Sequence, residues 1–189
     1  KTNMDNGFLT PKQGKAIMLA CDEILNGRLH GQFITDLIQG GGGIGMNMNA
    51  NEIIANRANE MLGGTKGNYE YVHPLDHVNF GQSSNDDIQT AGKIAAIRMS
   101  KKLLVELKKL QNAFNDKKEE YAEILRIGRT HLKPASPMTF YQAFEAYSFT
   151  IQKDIKRIES ALNGMYDLNM GSNLIGSGLK TDTKYAKKV

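Results

Sequence analysis

LLVELKKLQNAFNDKKEEYAEI, residues 103–124, is the stretch that decides the fold. Leu103, Leu107, Leu110, Phe114, Tyr121 and Ile124 recur in alternating steps of four and three, with Lys117 the one polar interruption. That spacing is a heptad seam. The helical pattern around it extends from Ile88 to Ile127, and roughly forty residues of helix would be about 60 Å long. A compact domain of 189 residues does not need so long an element, so partner helices are implied. Downstream, Phe144, Ile151, Ile155, Ile158, Leu162 and Met165 repeat at the same spacing, with Ser148 as the gap. Ser136-Pro137 reads as the N-cap and first residue of that second helix. The expected fold class is all-α, with an antiparallel pair of long helices inside a larger bundle.

Between these helices lies a short polar break, Gly128-Arg129-Thr130-His131-Leu132. Two further polar stretches, Gln39–Glu52 and Gln82–Asp87, also sit at the starts of helical patterns. The expectation is that all three converge on one anion-binding site. A lone histidine is more often a satisfied structural group than a catalytic one. His131, however, adjoins Arg129 and Thr130 at a break, and that chemistry suits a carboxylate or a phosphate.

Upstream, Thr10-Pro11 reads as N-cap and N1 of a helix whose apolar face is Ile17, Cys21, Ile24 and Leu25, stopped by Asn26-Gly27. Residues 1–10 read as an irregular lead-in. The run QGGGGIGMNMNANE, residues 39–52, could be a flexible linker, but apolar flanks and a following helix start disfavour that. Asn49 and Glu52 have capping-box spacing, and Ile53, Ile54, Ala58 and Met61 mark an apolar face ended by Gly63-Gly64. No Gly-Lys-Ser/Thr follows the glycines, and Met48 stands where the dinucleotide pattern wants glycine. The feature therefore points only to carboxylate or phosphate binding in general. In the loop of residues 65–81, His73 and His77 lack a third ligand of fixed spacing, so a metal is not expected. Ser84 and Asp87 have capping-box spacing, which accounts for part of the polar run Gln82–Asp87.

Composition excludes several function classes. The apolar fraction of 40% supports a core, and the net charge of +4 comes from 24 basic residues scattered among 20 acids. Without basic clustering or interleaved aromatics, no nucleic-acid footprint is expected. No apolar run approaches the roughly 18 residues of a membrane span. The single cysteine, Cys21, lies in a helical pattern and reads as a structural thiol, which fits a reducing, cytoplasmic setting. Both chain ends read as cut.

Several segments together resemble the aspartase/fumarase superfamily, and its aspartase branch most. They are Asn47-Met48-Asn49-Ala50-Asn51-Glu52 continuing to Ala58; His73-Pro74-x-Asp76-His77-Val78-Asn79 leading to Gln82-Ser83-Ser84-Asn85-Asp86; and Gly128-Arg129-Thr130-His131-Leu132. Ala20–Leu25 and the Gly176–Asp182 region are also similar to the family. The resemblance implies reversible elimination of ammonia from L-aspartate to give fumarate, through an aci-carboxylate. It implies that Ser83, Ser84 and Asn85 bind the substrate, that Thr130 and His131 contact the carboxylate at the reacting end, and that His73 and Asp76 belong to a secondary anion loop. It implies no organic cofactor and no protein-bound metal site, with a divalent cation such as Mg²⁺ as an activator at most. The implied partners are a small dicarboxylate and a homotetramer whose active sites are shared between subunits, with no nucleic acid and no membrane.

By the same resemblance, residues 1–85 are the remainder of an N-terminal domain and 86–189 the first part of the central helical bundle. The family's catalytic serine loop has no counterpart in this chain, so the chain is expected to be an inactive fragment of a longer enzyme. Departures are clear: Ile44 stands where the family places a substrate-binding Thr, Met46 occupies the nearby hydroxyl position, and Leu75 replaces a common Asn. Gln89 replaces a usual Pro, and Lys133-Pro134 a usual Gln-Asp. The alternatives are a class II fumarase, hydrating fumarate to L-malate, and a non-catalytic helical oligomerisation module.

Overall fold

The computed structural model describes residues 1–38, 40–179 and 181–189. Gln39, which opens the glycine-rich stretch, and Lys180, within the family-like Gly176–Asp182 region, lie outside the described residues. The chain forms two compact units, residues 1–92 with 168–189 and residues 93–167. The elements are almost all helical, in keeping with the expected fold class.

The first unit contains α1 (Thr2–Asp5), α2 (Pro11–Leu25), α3 (Ile44–Met61), the start of α4 (Ser84–Glu120) and α6 (Tyr185–Lys188). The lead-in is therefore partly helical. Thr10 caps α2 through a reciprocal box with Gln13, and Pro11 follows at N1, as the sequence predicts. The chain leaves α2 through Asn26 and Gly27, the latter at φ +87°. Small side chains let α2 and α3 approach closely: Ala16, Ala55, Ala58 and Val72 form the core, with Ile17, Leu62, Tyr69 and Val78 packed against it. Glu23 of α2 clamps Arg57 of α3 through two hydrogen bonds of 2.6 and 2.8 Å.

One buried polar group organises the loop after α3. Asn59 has no exposed surface. Its Nδ2 donates to the carbonyls of Ala55 (2.8 Å) and Val72 (2.6 Å), and its Oδ1 accepts from the amides of Tyr71 (2.9 Å) and Val72 (3.2 Å). All its hydrogen-bonding capacity is thus used, and a buried carboxamide is tolerated only on that condition.

α3 begins at Ile44, so Asn49 lies inside the helix and does not cap it. The lead into α3 is set by Gly41, Gly42 and Gly43, all left-handed at φ +74°, +65° and +83°. Such a run accepts glycine with little strain and other residues with difficulty. A Cβ on Gly43 would also lie 2.8 Å from the Ile88 side chain. The glycines thus shape a tight turn into α3.

In the second unit, α4 ends at Glu120 rather than continuing to Ile127. An antiparallel hairpin follows, β1 (Leu125–Thr130) with β2 (Lys133–Thr139), then α5 (Phe140–Asn163). Gly128 therefore sits in a strand, beside a register irregularity between Ile127 and Arg129, and does not break a helix. Ser136 and Pro137 lie in β2; the cap of α5 is Thr139, in a reciprocal box with Gln142. The physical reason is that Pro134 and Pro137 disfavour helix, while extended backbone on an edge strand accepts them. The seam itself forms. Phe114 and Tyr121 of α4 meet Phe140, Phe144 and Tyr147 of α5, which makes the pair antiparallel. Ser148, the gap in the repeat, is buried and donates to Asn115 Oδ1 at 2.7 Å. Further along, Leu103 and Leu110 remain 47% and 43% exposed, so this part of the seam is uncovered within its own unit.

Candidate active site

Of the predicted substrate residues, Ser84 and Asn85 open α4 and Ser83 immediately precedes it. Ser83 is buried; its Oγ accepts from the Asn85 amide at 3.2 Å, and its own amide donates to Asp86 Oδ2 at 3.0 Å. The capping pair is therefore Ser83 and Asp86, one residue earlier than the predicted Ser84 and Asp87. The cap leaves Ser84 half-buried and Asn85 exposed. The amides of Asn85, Asp86 and Asp87 are already engaged by the Ser83 hydroxyl and carbonyl, so what this turn offers an anion is the Ser84 hydroxyl and the positive end of the helix dipole.

Carboxamides hold this turn from beneath. Asn47 Nδ2 donates to Ser84 Oγ at 2.8 Å and to Asn79 Oδ1 at 3.2 Å. Asn51 Nδ2 donates to Asn47 Oδ1 at 3.2 Å and to Asn79 Oδ1 at 3.1 Å. Asn79 Nδ2 in turn donates to the Gln82 carbonyl at 3.1 Å. The start of α3 and the start of α4 thus meet, as the Gly43–Ile88 approach also requires. The sequence assigned Asn47 to a family-like motif, and Asn49 to that motif and to a helix cap with Glu52. The four-residue step from Asn47 to Asn51, which puts both on one helix face, was the signal for this ladder. Asn49 faces elsewhere, accepting from the Ile34 amide at 2.9 Å and donating to the Gln32 carbonyl at 3.1 Å.

The acidic residues of this turn are crowded. Burial, then the neighbouring Asp86, pushes the Asp87 carboxyl up to about 6. Tyr185 of α6 faces the same pair; burial, Asp87 and Asp86 push its phenol up to about 12, so it stays protonated at neutral pH. The tail is tied to Asn85 itself, whose Nδ2 donates to the Leu174 carbonyl at 3.2 Å and whose carbonyl accepts from Asn169 at 2.7 Å.

His73 and Asp76 lie at a π-helical turn, Pro74–Val78. His73 Nδ1 accepts from the Leu75 and Asp76 amides at 3.3 and 3.2 Å, and His77 Nδ1 accepts from the His73 amide at 2.8 Å. Asp76 Oδ2 lies 3.1 Å from the same His73 Nδ1. No group of three or more His, Cys, Asp or Glu side chains able to hold a metal ion occurs among the described residues.

Thr130 and His131 belong to the second unit, at the tip of the hairpin. His131 and Leu132 are the two loop residues, both left-handed at φ +47° and +63°. Paired positive φ at both positions defines a type I′ turn, which strongly prefers Asn-Gly. His and Leu there carry backbone strain of the kind that clusters at functional sites. Arg129 Nη1 donates to the Leu132 carbonyl at 3.0 Å and braces the turn. Thr130, His131 and Leu132 are exposed, Leu132 at 90%.

Ile44 is the first residue of α3 and is exposed. Cys21 is half-buried, and burial pushes its thiol up, away from nucleophilic use. A cleft of about 430 Å³ lined by Ile34, Asn49, Ile53, Arg57 and Lys66 includes none of the predicted site residues. No helix among the described residues is long and apolar enough to cross a membrane.

A family model described as Lyase matches residues 1–189. The chain is 46% identical over 187 residues to aspartate ammonia-lyase of Bacillus subtilis, covering 99% of this chain and 39% of that protein. It is 44% identical over 190 residues to class II fumarate hydratase of Yersinia pestis, covering 100% of this chain and 41% of that one. Among solved structures it is similar to a fumarate lyase:delta crystallin from Brucella melitensis bound to cobalt, with TM-score 0.90 and 40% identity over 99% of this chain and 41% of the other. The chain thus spans about two fifths of the length of these relatives.

Proposed function

The chain belongs to the lyase family, and from that premise we propose that the full-length protein carrying it is an aspartate ammonia-lyase, a carbon–nitrogen lyase converting L-aspartate to fumarate and ammonium. The observation that carries this reading is the Ser83–Asn85 turn. It is a helix N-terminus with a half-buried hydroxyl and an exposed carboxamide, held in place by buried side chains before any ligand arrives. Removing the proton from the carbon beside a carboxylate puts two negative charges on that carboxylate. Preformed donors stabilise the charge as it develops and so lower the barrier. Ammonia then leaves from the neighbouring carbon, taking up a proton as ammonium. In this reading Ser83, Ser84 and Asn85 bind the substrate, while Thr130 and His131 contact the reacting carboxylate. His73 and Asp76, with His77 beside them, form a secondary anion loop.

The uncovered seam at Leu103 and Leu110 and the exposed hairpin at Thr130 and His131 support a homotetramer with shared active sites. We assign residues 1–85 to the N-terminal domain and 86–189 to the central bundle, and place the enzyme in the cytoplasm. The reading calls for no organic cofactor, and a divalent cation would serve only as an activator. With about two fifths of the relatives' length, the isolated chain is expected to be inactive.

A class II fumarase is the second reading, favoured by the 44% identity to the Yersinia pestis enzyme. The Lys66-Gly67-Asn68-Tyr69-Glu70-Tyr71 approach to His73 resembles aspartases more than fumarases, which supports the first reading. Ultraviolet absorbance of fumarate, followed with L-aspartate and separately with L-malate and paired with an ammonium assay, decides between them. Fumarate and ammonium from aspartate is the expected outcome. Turnover of malate alone moves the protein to the fumarases. Turnover of neither means that Ile44 and Met46 have re-aimed the site, toward another succinyl-type substrate or a structural role as a helical oligomerisation module.

A further inference from the structure

We infer that Asn47, oriented by Asn51 and Asn79, is a positioning residue that turns the Ser84 hydroxyl into a dedicated hydrogen-bond donor toward the substrate carboxylate. This deepens the lyase reading and rests on it. A serine hydroxyl has one proton and two lone pairs. The Asn47 Nδ2 group donates into Ser84 Oγ at 2.8 Å, so one lone pair is used and the Ser84 proton cannot point at Asn47. Among the described residues no acceptor takes that proton. It is left for a ligand at the half-buried face of the turn.

The orientation of the Asn47 amide is itself determined. Its Oδ1 accepts from Asn51 Nδ2 at 3.2 Å, which turns the nitrogen toward Ser84 and toward Asn79 Oδ1. Asn79 Oδ1 accepts from Asn47 and Asn51 together, and Asn79 Nδ2 is engaged by the Gln82 carbonyl. Reversing any one amide would set oxygen against oxygen or nitrogen against nitrogen. Asn47 and Asn51 are only 5% and 6% exposed, so water does not compete for these groups. A carboxylate at position 47 would do the opposite of a carboxamide. It would accept the Ser84 proton and turn the hydroxyl into an acceptor, which repels an anionic substrate.

The test is a double-mutant cycle in the full-length protein, reading kcat/KM for L-aspartate with thermal melting as the folding control. Asn47→Asp is expected to lower kcat/KM by about ten- to a hundredfold, the range for one hydrogen bond to a charged group. In a Ser84→Ala background the same substitution is expected to change it less than about twofold, because the group it acts through is gone. Should Asn47→Asp not fold, Asn51→Ser repeats the cycle, since it frees the Asn47 amide without a buried charge. Losses that multiply in the double variant would overturn the positioning role while leaving the lyase reading intact. A wild-type protein that turns over neither L-aspartate nor L-malate would remove the reading and this role together.

Discussion

The Ser83–Asn85 turn and the Thr130–His131 hairpin are both proposed to contact substrate, yet they are built on opposite principles. The turn is supported from within its own unit: Ser83 is capped by Asp86, Ser84 is gripped by Asn47, and Asn85 is tied to the tail. The hairpin tip has one brace, Arg129 to the Leu132 carbonyl, and otherwise faces solvent with two strained residues at its apex. Polar groups buried in a network are costly to leave unpaired, and Asp86 Oδ1 already lacks a partner there, so further changes in the first region are expected to cost stability. The second can vary without harm to the fold. Substitutions in the turn should therefore alter stability and activity together, and substitutions at the hairpin tip activity alone.

The largest expected effect is at the tip. His131→Ala in the full-length protein should lower kcat/KM for L-aspartate by roughly 10²- to 10³-fold, the usual loss when one donor to a developing anion is removed. Its exposed position limits the change in stability to about 0.5 kcal/mol. A urea midpoint that moved with activity would show that the hairpin is scaffolding, and the contrast would break.

The converse applies where α3 meets α4. Gly43→Ala combines a left-handed φ of +83° with a Cβ 2.8 Å from Ile88, and should cost about 2 kcal/mol in denaturant unfolding. Gly41→Ala shares the left-handed backbone, at φ +74°, but meets nothing within 4 Å, so only about 1 kcal/mol is expected. Equal costs would mean that Ile88 gives way and that the junction is softer than its packing implies.

The same two regions show how far the sequence could be read. The heptad seam was legible because apolar spacing survives whatever covers it, and Phe114 and Tyr121 do meet α5. The α2 cap at Thr10 was legible for a similar reason: its partners lie within one turn of chain. The hairpin was not, because Tyr121 and Ile124 continue the heptad past the true end of α4 at Glu120. Its turn also lacks the glycine that marks such loops, since His131 and Leu132 take the left-handed conformation without one. Pro137, which suits the first position of a helix, equally suits the extended strand in which it lies. The carboxamide ladder was half legible. The step from Asn47 to Asn51 is local, but Asn79 and Ser84 come from distant segments, and only the fold brings them together.

The smallest expected effect concerns Asp87, beneath the supported turn. Its folded value of about 6 stands above the ordinary 3.8, raised by burial and then by Asp86. Between those values the folded state keeps a proton that the unfolded chain has released, so stability declines as pH rises from about 4 to 6. The contribution is complete below that window and lost above it. The Gln82 carboxamide, with its nitrogen turned to Asp87 Oδ1 at 2.7 Å, and the group's partial exposure reduce the loss to about 1 kcal/mol. Glu23 and Glu60 act in the other direction. Hydrogen bonds from Arg57 and from Lys66, respectively, hold their carboxyls below the usual range, so both add stability as pH rises through the acid region. Comparing Asp87→Asn with wild type cancels those two and isolates Asp87. The variant should match wild type near pH 4 and exceed it by about 1 kcal/mol at pH 7. Parallel stability curves across that window would mean that the Asp87 carboxylate is already well served by Gln82, and that the turn tolerates its own negative charge.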